Sequence, residues 1–347
     1  MDTATDTERA SRSLLLSCAE ADGTHSANTL AREVNRGRLV RLRRGVYFPA
    51  QEWFSAYPSE RFELATAATA AQRDAPVFCR GTALSVHRIP LLNTPSAVQI
   101  RGRDRHQARK APQPSMTGKL TSAAFLRAAQ QQGELSGTDL NALALRGFGT
   151  HCVSPTDIPQ GIPPQEVELL GQRAFVEPLT LAVADTVPHL PFADAVVILD
   201  AALRTDVTRS DLVSTVELCT RTKAQRFAWQ KALDFADPRS ESVGESLSRV
   251  RIAELGFEVP ELQHTIHVDA ATYRLDCWWE KAGIVGEFDG WQKYQSGGSA
   301  ALREEKVRED AIRSTVGAVV RWYWEDLQNP QRLLKKLLRA GVPRVSP

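Results

Sequence analysis

Three carboxylates in the C-terminal third of the chain, Asp276, Glu287 and Asp289, have the types and spacing that a metal-dependent hydrolysis needs. They lie in two stretches, RLDCWWE and GIVGEFDG, which only a short turn separates. A hard divalent cation such as Mg²⁺ takes oxygen ligands, usually one or two carboxylates with water and substrate phosphate oxygens. Such a cation polarises a phosphoryl oxygen and activates a water molecule. The cluster therefore predicts phosphodiester hydrolysis.

The alternation of polar and apolar residues within these two stretches predicts a β-hairpin that collects the acids on one face. With a short turn at Lys281-Ala282, Asp276 lies opposite Glu287, and Arg274 lies opposite Asp289. Successive side chains of a strand point to opposite faces, so the three acids share one face. The other face is apolar and comprises Leu275, Cys277, Trp279, Ile284, Gly286 and Phe288.

Two opposed carboxylates repel each other, so the predicted pair needs compensation. Directly opposed residues have Cβ atoms about 4.5–5.5 Å apart, and like charges there are destabilising. Either one carboxyl takes up a proton, or a cation sits between the two. Lys293 is the nearest base for positioning a water or offsetting transition-state charge. The alternative interpretation is a solvated face of an edge hairpin on which Arg274 neutralises Asp289.

A family resemblance covers about residues 240–340. It is carried by SESVGESLSRVRIAELGFEVPELQ, RLDCWWEKAGIVGEFDGWQKY and LREEKVREDAIRSTVGAVVRWYWEDL. These segments resemble the very-short-patch-repair-type endonuclease domains of the PD-(D/E)XK nuclease superfamily. The resemblance implies a restriction-endonuclease-like α/β/α domain over residues 239–347 with Mg²⁺ or Mn²⁺ as cofactor. It makes Asp276 and Glu287 the metal ligands, Glu245 the helical acid, Asp289 part of E-x-D-G, and Lys293 the following base.

One position departs from the superfamily pattern. The usual E-x-K is Glu287-Phe288-Asp289 here, so Lys293 takes the place of the missing lysine. Two interpretations follow, an active endonuclease and a degenerate nuclease fold that binds without cleaving. Arg308 is either a phosphate contact or a surface ion pair. Arg321 begins an apolar strand and is a candidate for burial against a site carboxylate.

The second candidate for chemistry is a basic run near the N-terminus. It carries a single acid, Glu33, among the arginines Arg32, Arg36, Arg38, Arg41, Arg43 and Arg44. Such a patch attracts polyanions. The sequence predicts a helix over residues 7–21, a turn at Asp22-Gly23, a second helix from Asn28 to Asn35 and then the basic hairpin. This is the order of a winged helix, whose arginines contact DNA phosphates. The alternative is a solvated basic hairpin.

This region has its own resemblance, over about residues 8–200. It is carried by GRLVRLRRGVYFP, by an alanine-rich helix and by GTALSVHRIPL. These segments are similar to the AbiEi family of antitoxins and transcriptional regulators. The resemblance implies a winged-helix DNA-binding domain over residues 1–50 and an α/β and helical middle region over residues 51–238. The implied partners are DNA and a cognate toxin or a second copy of the chain.

Composition and pattern predict an α+β or α/β multidomain protein of the cytoplasm. The chain has 347 residues, 42% hydrophobic and 24% charged, with no apolar run of the roughly 20 residues that a membrane span needs. Five scattered cysteines without metal-ligand spacing are typical of reduced thiols. Helices are predicted over residues 7–21, 122–131 and 240–255, and a helix, strand, helix, strand order over residues 58–111.

Three functions of different classes remain open. The first is a DNA-binding protein whose C-terminal domain is a metal-dependent endonuclease. The alternative is an antitoxin-like transcriptional regulator without catalysis, and a weaker option is a module that only pairs with a toxin.

Overall fold

A computed structural model describes residues 14–16, 27–103, 106, 108–112, 116–119, 145–154, 162–269, 271–290 and 308–345. The chain divides into two compact units. Unit 1 comprises Met1–Ile89, Asn93–Thr186 and Asp211–Thr220, and unit 2 comprises Pro90–Leu92, Val187–Ser210 and Arg221–Pro347. The described residues form three sheets with many helices, which confirms the predicted mixed α/β class. The predicted domain boundaries near residues 50 and 239 stay predictions.

Unit 1 begins with one helix beside a small three-stranded sheet. Its elements are β1 (Leu15–Leu16), α1 (Ala27–Asn35), β2 (Leu39–Arg43) and β3 (Val46–Pro49). The strand order is β1-β3-β2, and β2 and β3 form an antiparallel hairpin. Leu30 and Val34 of α1 pack against Leu39 and Tyr47, because residues four apart lie on one helix face.

The helix predicted over residues 7–21 is wrong where the structure describes that range. There β1 pairs with Val46 and Tyr47 of β3. Three consecutive leucines fit a short strand as well as a helix, and periodicity over so few residues does not separate the two. The remainder of the range, apart from Leu14, lies outside the described residues, as does the helix predicted over residues 122–131.

A six-stranded mixed sheet forms the second part of unit 1, in the order β6-β7-β5-β4-β9-β8. Its strands are β4 (Val77–Phe78), β5 (Ala97–Arg101), β6 (Arg109–Ala111), β7 (Gly149–Val153), β8 (Gln165–Leu169) and β9 (Gln172–Val176). The helices of this part are α2 (Ala50–Ser55), α3 (Pro58–Ala70), α4 (Arg80–Val86) and α5 (Leu179–Thr186). The order α3, β4, α4, β5 confirms the helix, strand, helix, strand prediction.

Unit 2 is built on a four-stranded sheet in the order β10-β11-β12-β13. Neighbouring strands are antiparallel except β12 and β13, which are parallel. The strands are β10 (Glu261–Val268), β11 (Ala271–Trp279), β12 (Ile284–Phe288) and β13 (Ala318–Trp322). The helices that follow α5 in chain order are α6 (Phe192–Leu203), α7 (Arg209–Cys219), α8 (Lys223–Phe235), α9 (Val243–Glu254), α10 (Trp324–Gln328) and α11 (Pro330–Ala340). All of them belong to unit 2 except α7, which lies mostly in unit 1. Residues 308–315 are also helical.

Helices cover both faces of this sheet. On one face, Trp322 donates from Nε1 to Ser248 Oγ of α9 at 2.7 Å. Gly244 of α9 lies against the Phe288 ring, and a Cβ at that position would come within 1.9 Å of it. On the other face, Ile312 packs into a buried cluster with Val285. Unit 2 therefore has helix, sheet and helix layers, and α9 approaches the end of β12 closely.

Two helices that the sequence places in the middle region pack within unit 2. Asp200 of α6 is fully buried and pairs with Arg249 Nη1 of α9 at 3.0 Å. Arg249 also donates from Nη2 to the Phe235 carbonyl of α8 at 2.6 Å. Among the described residues, no helix has both the length and the apolar character that crossing a membrane requires.

Candidate functional site

The register of the β11–β12 hairpin is the one the sequence predicts. Cys277, Trp278 and Trp279 pair with Gly286, Val285 and Ile284. A 3₁₀ turn over Glu280–Ala282 joins the strands and ends at Gly283, whose φ of 62° is left-handed. Glycine adopts such a φ without steric cost, which lets the turn stay short. The observed ladder ends at Cys277, one residue short of the predicted pair of Asp276 and Glu287.

The strand ladders on both sides of β11 are interrupted at Asp276. The ladder to β12 ends at Cys277, and beyond it Asp276 Oδ2 accepts from the Phe288 backbone N–H at 3.4 Å. The ladder to β10 has no bridge at Gln263, the residue across from Asp276, whose φ is 55°. A non-glycine residue at such a φ costs on the order of 1–3 kcal/mol, and strain of this kind clusters at functional sites.

Two arginines supply the positive charge that the acidic pair needs. Glu287 is 4% exposed. Its Oε1 pairs with Arg308 Nη2 at 2.9 Å, and its Oε2 pairs with Arg321 Nη2 at 2.7 Å. Burial alone lowers the pKa of Arg321, but the charges of Glu287, Asp289 and Glu309 outweigh it and raise that pKa. Arg321 contacts a site carboxylate as the sequence suggests, but it is half-buried and not fully buried, with its side chain 21% exposed.

Asp289 lies at the edge of this cluster, and its predicted partner is wrong. Its Oδ2 is 4.0 Å from Arg321 Nε, and its backbone N–H donates to the Trp322 carbonyl. Arg274, expected opposite Asp289, pairs instead with Glu241 at 2.8 Å. The reason is the end of the ladder at Cys277, because the hairpin register no longer applies beyond it.

The sheet face predicted for the Leu275 side chain is wrong for the same reason. Alternation assigns Leu275 to the apolar face with Cys277, yet it packs in one buried cluster with Val285 and Ile312. Strand alternation holds only while the pleat is regular. The interruption at Asp276 therefore shifts the facing of the residues before it.

Glu245 is held at the start of α9, next to the acids. Its Oε1 accepts from Ser242 Oγ at 2.8 Å, and its Oε2 accepts from the Glu241 backbone N–H at 2.9 Å. Ser242 in turn accepts from the Glu245 backbone N–H, so this pair caps the helix. Gln263 Nε2 donates to Glu245 Oε2 at 3.2 Å, which connects Glu245 to the interruption at Asp276. Lys293 lies outside the described residues.

The oxygen atoms near Asp276 fit a magnesium ion in their chemistry. Among the described residues, no group of three or more His, Cys, Asp and Glu is arranged to hold a metal. Asp276 and Glu287 still supply two carboxylates, the number that Mg²⁺ usually takes from a protein. Gln263 Oε1 is buried without a hydrogen-bond partner in the described part of the chain. Binding requires that Arg308 or Arg321 release one oxygen of Glu287.

Gln263 is the site residue that the sequence does not indicate. In ELQHTIHV it is an ordinary polar residue of an alternating strand. Its left-handed φ and its contact with Glu245 depend on the packing of β10 beside β11 and α9. No local signal marks either feature.

The basic run of unit 1 separates into exposed and anchored arginines. Arg32, Arg36, Arg38 and Arg44 are exposed. Glu33 pairs with Arg36 at 3.3 Å and also with Arg38. The hydrogen bond from Arg38 lowers the pKa of the Glu33 carboxyl.

The other two arginines of the run attach the hairpin to the rest of unit 1. Arg41 donates from Nη2 to Thr117 Oγ1 at 3.1 Å. Arg43 donates from Nη2 to the Phe148 carbonyl at 3.3 Å and to Thr150 Oγ1 at 3.4 Å. Burial, together with the charge of Arg73, lowers the pKa of Arg43 to about 10. Arg43 therefore packs inside unit 1.

Comparison with known proteins gives distant relatives and no family. No protein-family profile matches the chain. Two uncharacterized proteins, from two strains of Mycobacterium tuberculosis, are each 29% identical to it over 148 residues. The match covers 42% of this chain and 54% of each relative, so the chain spans about half the length of the curated relatives it matches.

Proposed function

We propose that this protein binds DNA through α1 and the β2–β3 hairpin, and that unit 2 hydrolyses phosphodiester bonds at Asp276 and Glu287. The observation that carries the proposal is that both ladders of β11 are interrupted at Asp276, which accepts from the N–H of Phe288, the residue after Glu287, and that the buried oxygen of Gln263 lies at the same interruption. The helix, sheet and helix layers of unit 2 also agree with the α/β/α domain that the PD-(D/E)XK resemblance implies.

Each residue around the acids has a definite task in this proposal. Asp276 and Glu287 would hold a Mg²⁺ or Mn²⁺ ion, which when bound would supply polarisation of the phosphoryl oxygen and an activated water molecule. Glu245 orients Gln263 through its hydrogen bond. Arg308 and Arg321 offset the negative charge that develops on the phosphoryl group. The resemblance adds Lys293 as the base beside the water.

Helix α1 and the β2–β3 hairpin of unit 1 supply the DNA contact in this proposal. Leu30 and Val34 face the hairpin, so Arg32 lies on the exposed face of α1. In a winged helix, such a face enters the major groove and the hairpin grips the phosphate backbone. Arg44 is the exposed arginine at the hairpin turn. Arginines there contribute affinity and salt dependence more than sequence recognition.

The proposed compartment is the cytoplasm. Cys79, Cys152, Cys219 and Cys277 are free and buried. Burial raises the pKa of the Cys79 and Cys277 thiols, which keeps them unreactive. Free thiols of this kind are typical of a reducing compartment.

A second candidate function is an antitoxin-like regulator that binds DNA without cleaving it. The observation that favours it is that both carboxylate oxygens of Glu287 are already paired with arginines. Asp289 also stands where the nuclease pattern has a lysine. In this function, unit 2 is a degenerate nuclease fold, and the partner is a cognate toxin or a second copy of the chain.

Plasmid cleavage separates the two functions. The full chain is incubated with supercoiled plasmid and Mg²⁺, Mn²⁺ or EDTA, beside Asp276→Asn and Glu287→Gln, which keep side-chain size. The matched control is Glu280→Gln, an exposed acid in the turn of the same hairpin. We expect nicking with either metal, no nicking with EDTA, and a loss of at least about 100-fold in both site variants, since each removes a charged metal ligand.

DNA binding is measured on the same proteins in EDTA by mobility shift. We expect all three variants to bind like the wild type. Binding without nicking under every condition would overturn the nuclease and support the regulator. Nicking that persists in Asp276→Asn and Glu287→Gln would mean that the cleavage has another origin.

A further inference from the structure

Unit 1 contains an open cavity of about 580 Å³ beside its six-stranded sheet. Residues of β5, β6 and β7 line it, together with the segment before β4. Its walls include Ile100, Val77 and Pro76. Small-molecule sites occupy about 300–1,000 Å³ and combine apolar walls with a few charged groups. The cavity therefore has the size of a nucleotide site.

The charged groups at the surface of this cavity are mainly basic. Arg73, Arg103 and Arg109 line it, with Asp74 as the acid among the lining residues. Asp74 is 95% exposed and lies 3.5 Å from Arg103, an ion pair that solvent weakens. Neither Arg73 nor Arg109 makes an ion pair with any residue that the structure describes. Two guanidinium groups are therefore available to a ligand.

Arg101 also lines the cavity, and it belongs to a buried ion-pair network. Arg101 pairs with Glu177 at 2.7 Å and with Asp185 at 2.8 Å, and Arg80 pairs with Asp185 at 2.8 Å. This buried network sets two arginines against two acids. Neither of these two acids pairs with Arg73 or Arg109.

A further arginine, Arg43, is bound to one of the residues that line the cavity. Arg43 donates to Thr150 Oγ1, and Thr150 lines the cavity. Besides burial, the positive charge of Arg73 lowers the pKa of Arg43. Two guanidinium groups that destabilise each other are relieved by an anion placed beside them.

We propose that this cavity binds a phosphate-bearing ligand, held by Arg73 and Arg109. A guanidinium group matches phosphate oxygens with two parallel hydrogen bonds, which is why arginine recurs in phosphate recognition. The phosphate has two sources, a free nucleotide or the backbone of a nucleic-acid strand. The proposal involves no residue of unit 2, so it stands apart from the nuclease.

The test is a calorimetric titration of the full chain with inorganic pyrophosphate, with ATP and with a short single-stranded oligonucleotide. The variants are Arg73→Gln and Arg109→Gln, and the matched control is Lys110→Gln. Lys110 lies on the same strand as Arg109 and is also exposed, but it does not line the cavity. Each arginine substitution is expected to weaken binding about tenfold, because each removes charge-assisted hydrogen bonds. The control leaves binding unchanged.

The pattern of loss identifies the source of the phosphate. Weaker binding of pyrophosphate and ATP in both arginine variants supports a free nucleotide. Weaker binding of the oligonucleotide alone supports a nucleic-acid strand. The proposal is overturned if no probe binds the wild type, or if every probe binds the arginine variants and the Lys110→Gln control equally. All substituted positions are exposed, and an unchanged melting temperature verifies folding.

Discussion

Charge balance around single residues explains why the acids of unit 2 tolerate burial. Glu287 keeps its two arginine partners, and Asp326 pairs with Lys336 at 2.7 Å. A buried carboxylate without such partners costs several kcal/mol. At Asp276, the strand ladder to β10 is interrupted, and Gln263 across from it has a left-handed backbone. The proposed function assigns the metal site to this position.

The buried carboxyl of Asp200 is expected to make the stability of the protein depend on pH. Burial raises the pKa of this carboxyl to about 6, although Arg249 and the Asp237 backbone N–H oppose the shift. The native state therefore binds a proton more tightly than the unfolded chain. The stability that this proton contributes is present below the unfolded pKa of about 4 and is lost as the pH rises through about 6.

Urea unfolding of the wild type and Asp200→Asn at a series of pH values measures this loss. The free energy of unfolding of the wild type is expected to fall by roughly 3 kcal/mol relative to Asp200→Asn between about pH 4 and pH 7. Groups with a lowered pKa, such as Asp237, are present in both proteins, so their contributions to the free energy of unfolding cancel in the difference. Parallel pH profiles for the two proteins would show that Asp200 has an ordinary pKa.

Among the elements, the β11–β12 hairpin was predictable and its surroundings were not. A short turn and an apolar face fix its register, because a slip of one residue would expose the apolar side chains. The interruption at Asp276 depends on Gln263 of β10, and the burial of Glu287 depends on Arg321 of β13 and on Arg308. These contacts join segments that are distant along the chain.

The two adjacent arginines of the β2–β3 hairpin are expected to differ in their effect on DNA binding. Arg44 is exposed at its turn, whereas Arg43 is bound to the Phe148 carbonyl. Replacing Arg44 with Gln is expected to reduce the slope of log affinity for DNA against log salt by about one, since one phosphate contact is lost. Arg43→Gln is expected to leave the slope unchanged and to lower the melting temperature of the protein.

Binding isotherms over a range of salt concentrations provide the slopes, and thermal denaturation provides the stabilities. The two variants are neighbours of equal charge, so each is the control for the other. Equal slopes for the wild type and Arg44→Gln would remove the hairpin from the DNA interface.

On the scale of the whole molecule, the mixed α/β class followed from composition and pattern, but the grouping of elements did not. Asp200 and Arg249 are far apart in sequence, and their buried ion pair joins α6 to α9 within unit 2. Nothing in either local segment indicates the other. The cavity of unit 1 was missed for the same reason, because Arg73 and Arg109 meet only when the sheet forms.

In the proposed function Asp276 and Glu287 share a divalent cation, so the full chain is expected to bind Mn²⁺ through these two side chains. Free Mn²⁺ is followed by electron paramagnetic resonance during titration of the wild type, Asp276→Asn, Glu287→Gln, Arg308→Gln and the control Glu280→Gln. We expect the wild type to bind one ion, and the two ligand variants to lose affinity for Mn²⁺ about tenfold or more. Arg308→Gln is expected to bind Mn²⁺ more tightly than the wild type, because a competing positive charge is gone. Equal Mn²⁺ affinity in the wild type, Asp276→Asn and Glu287→Gln would contradict it.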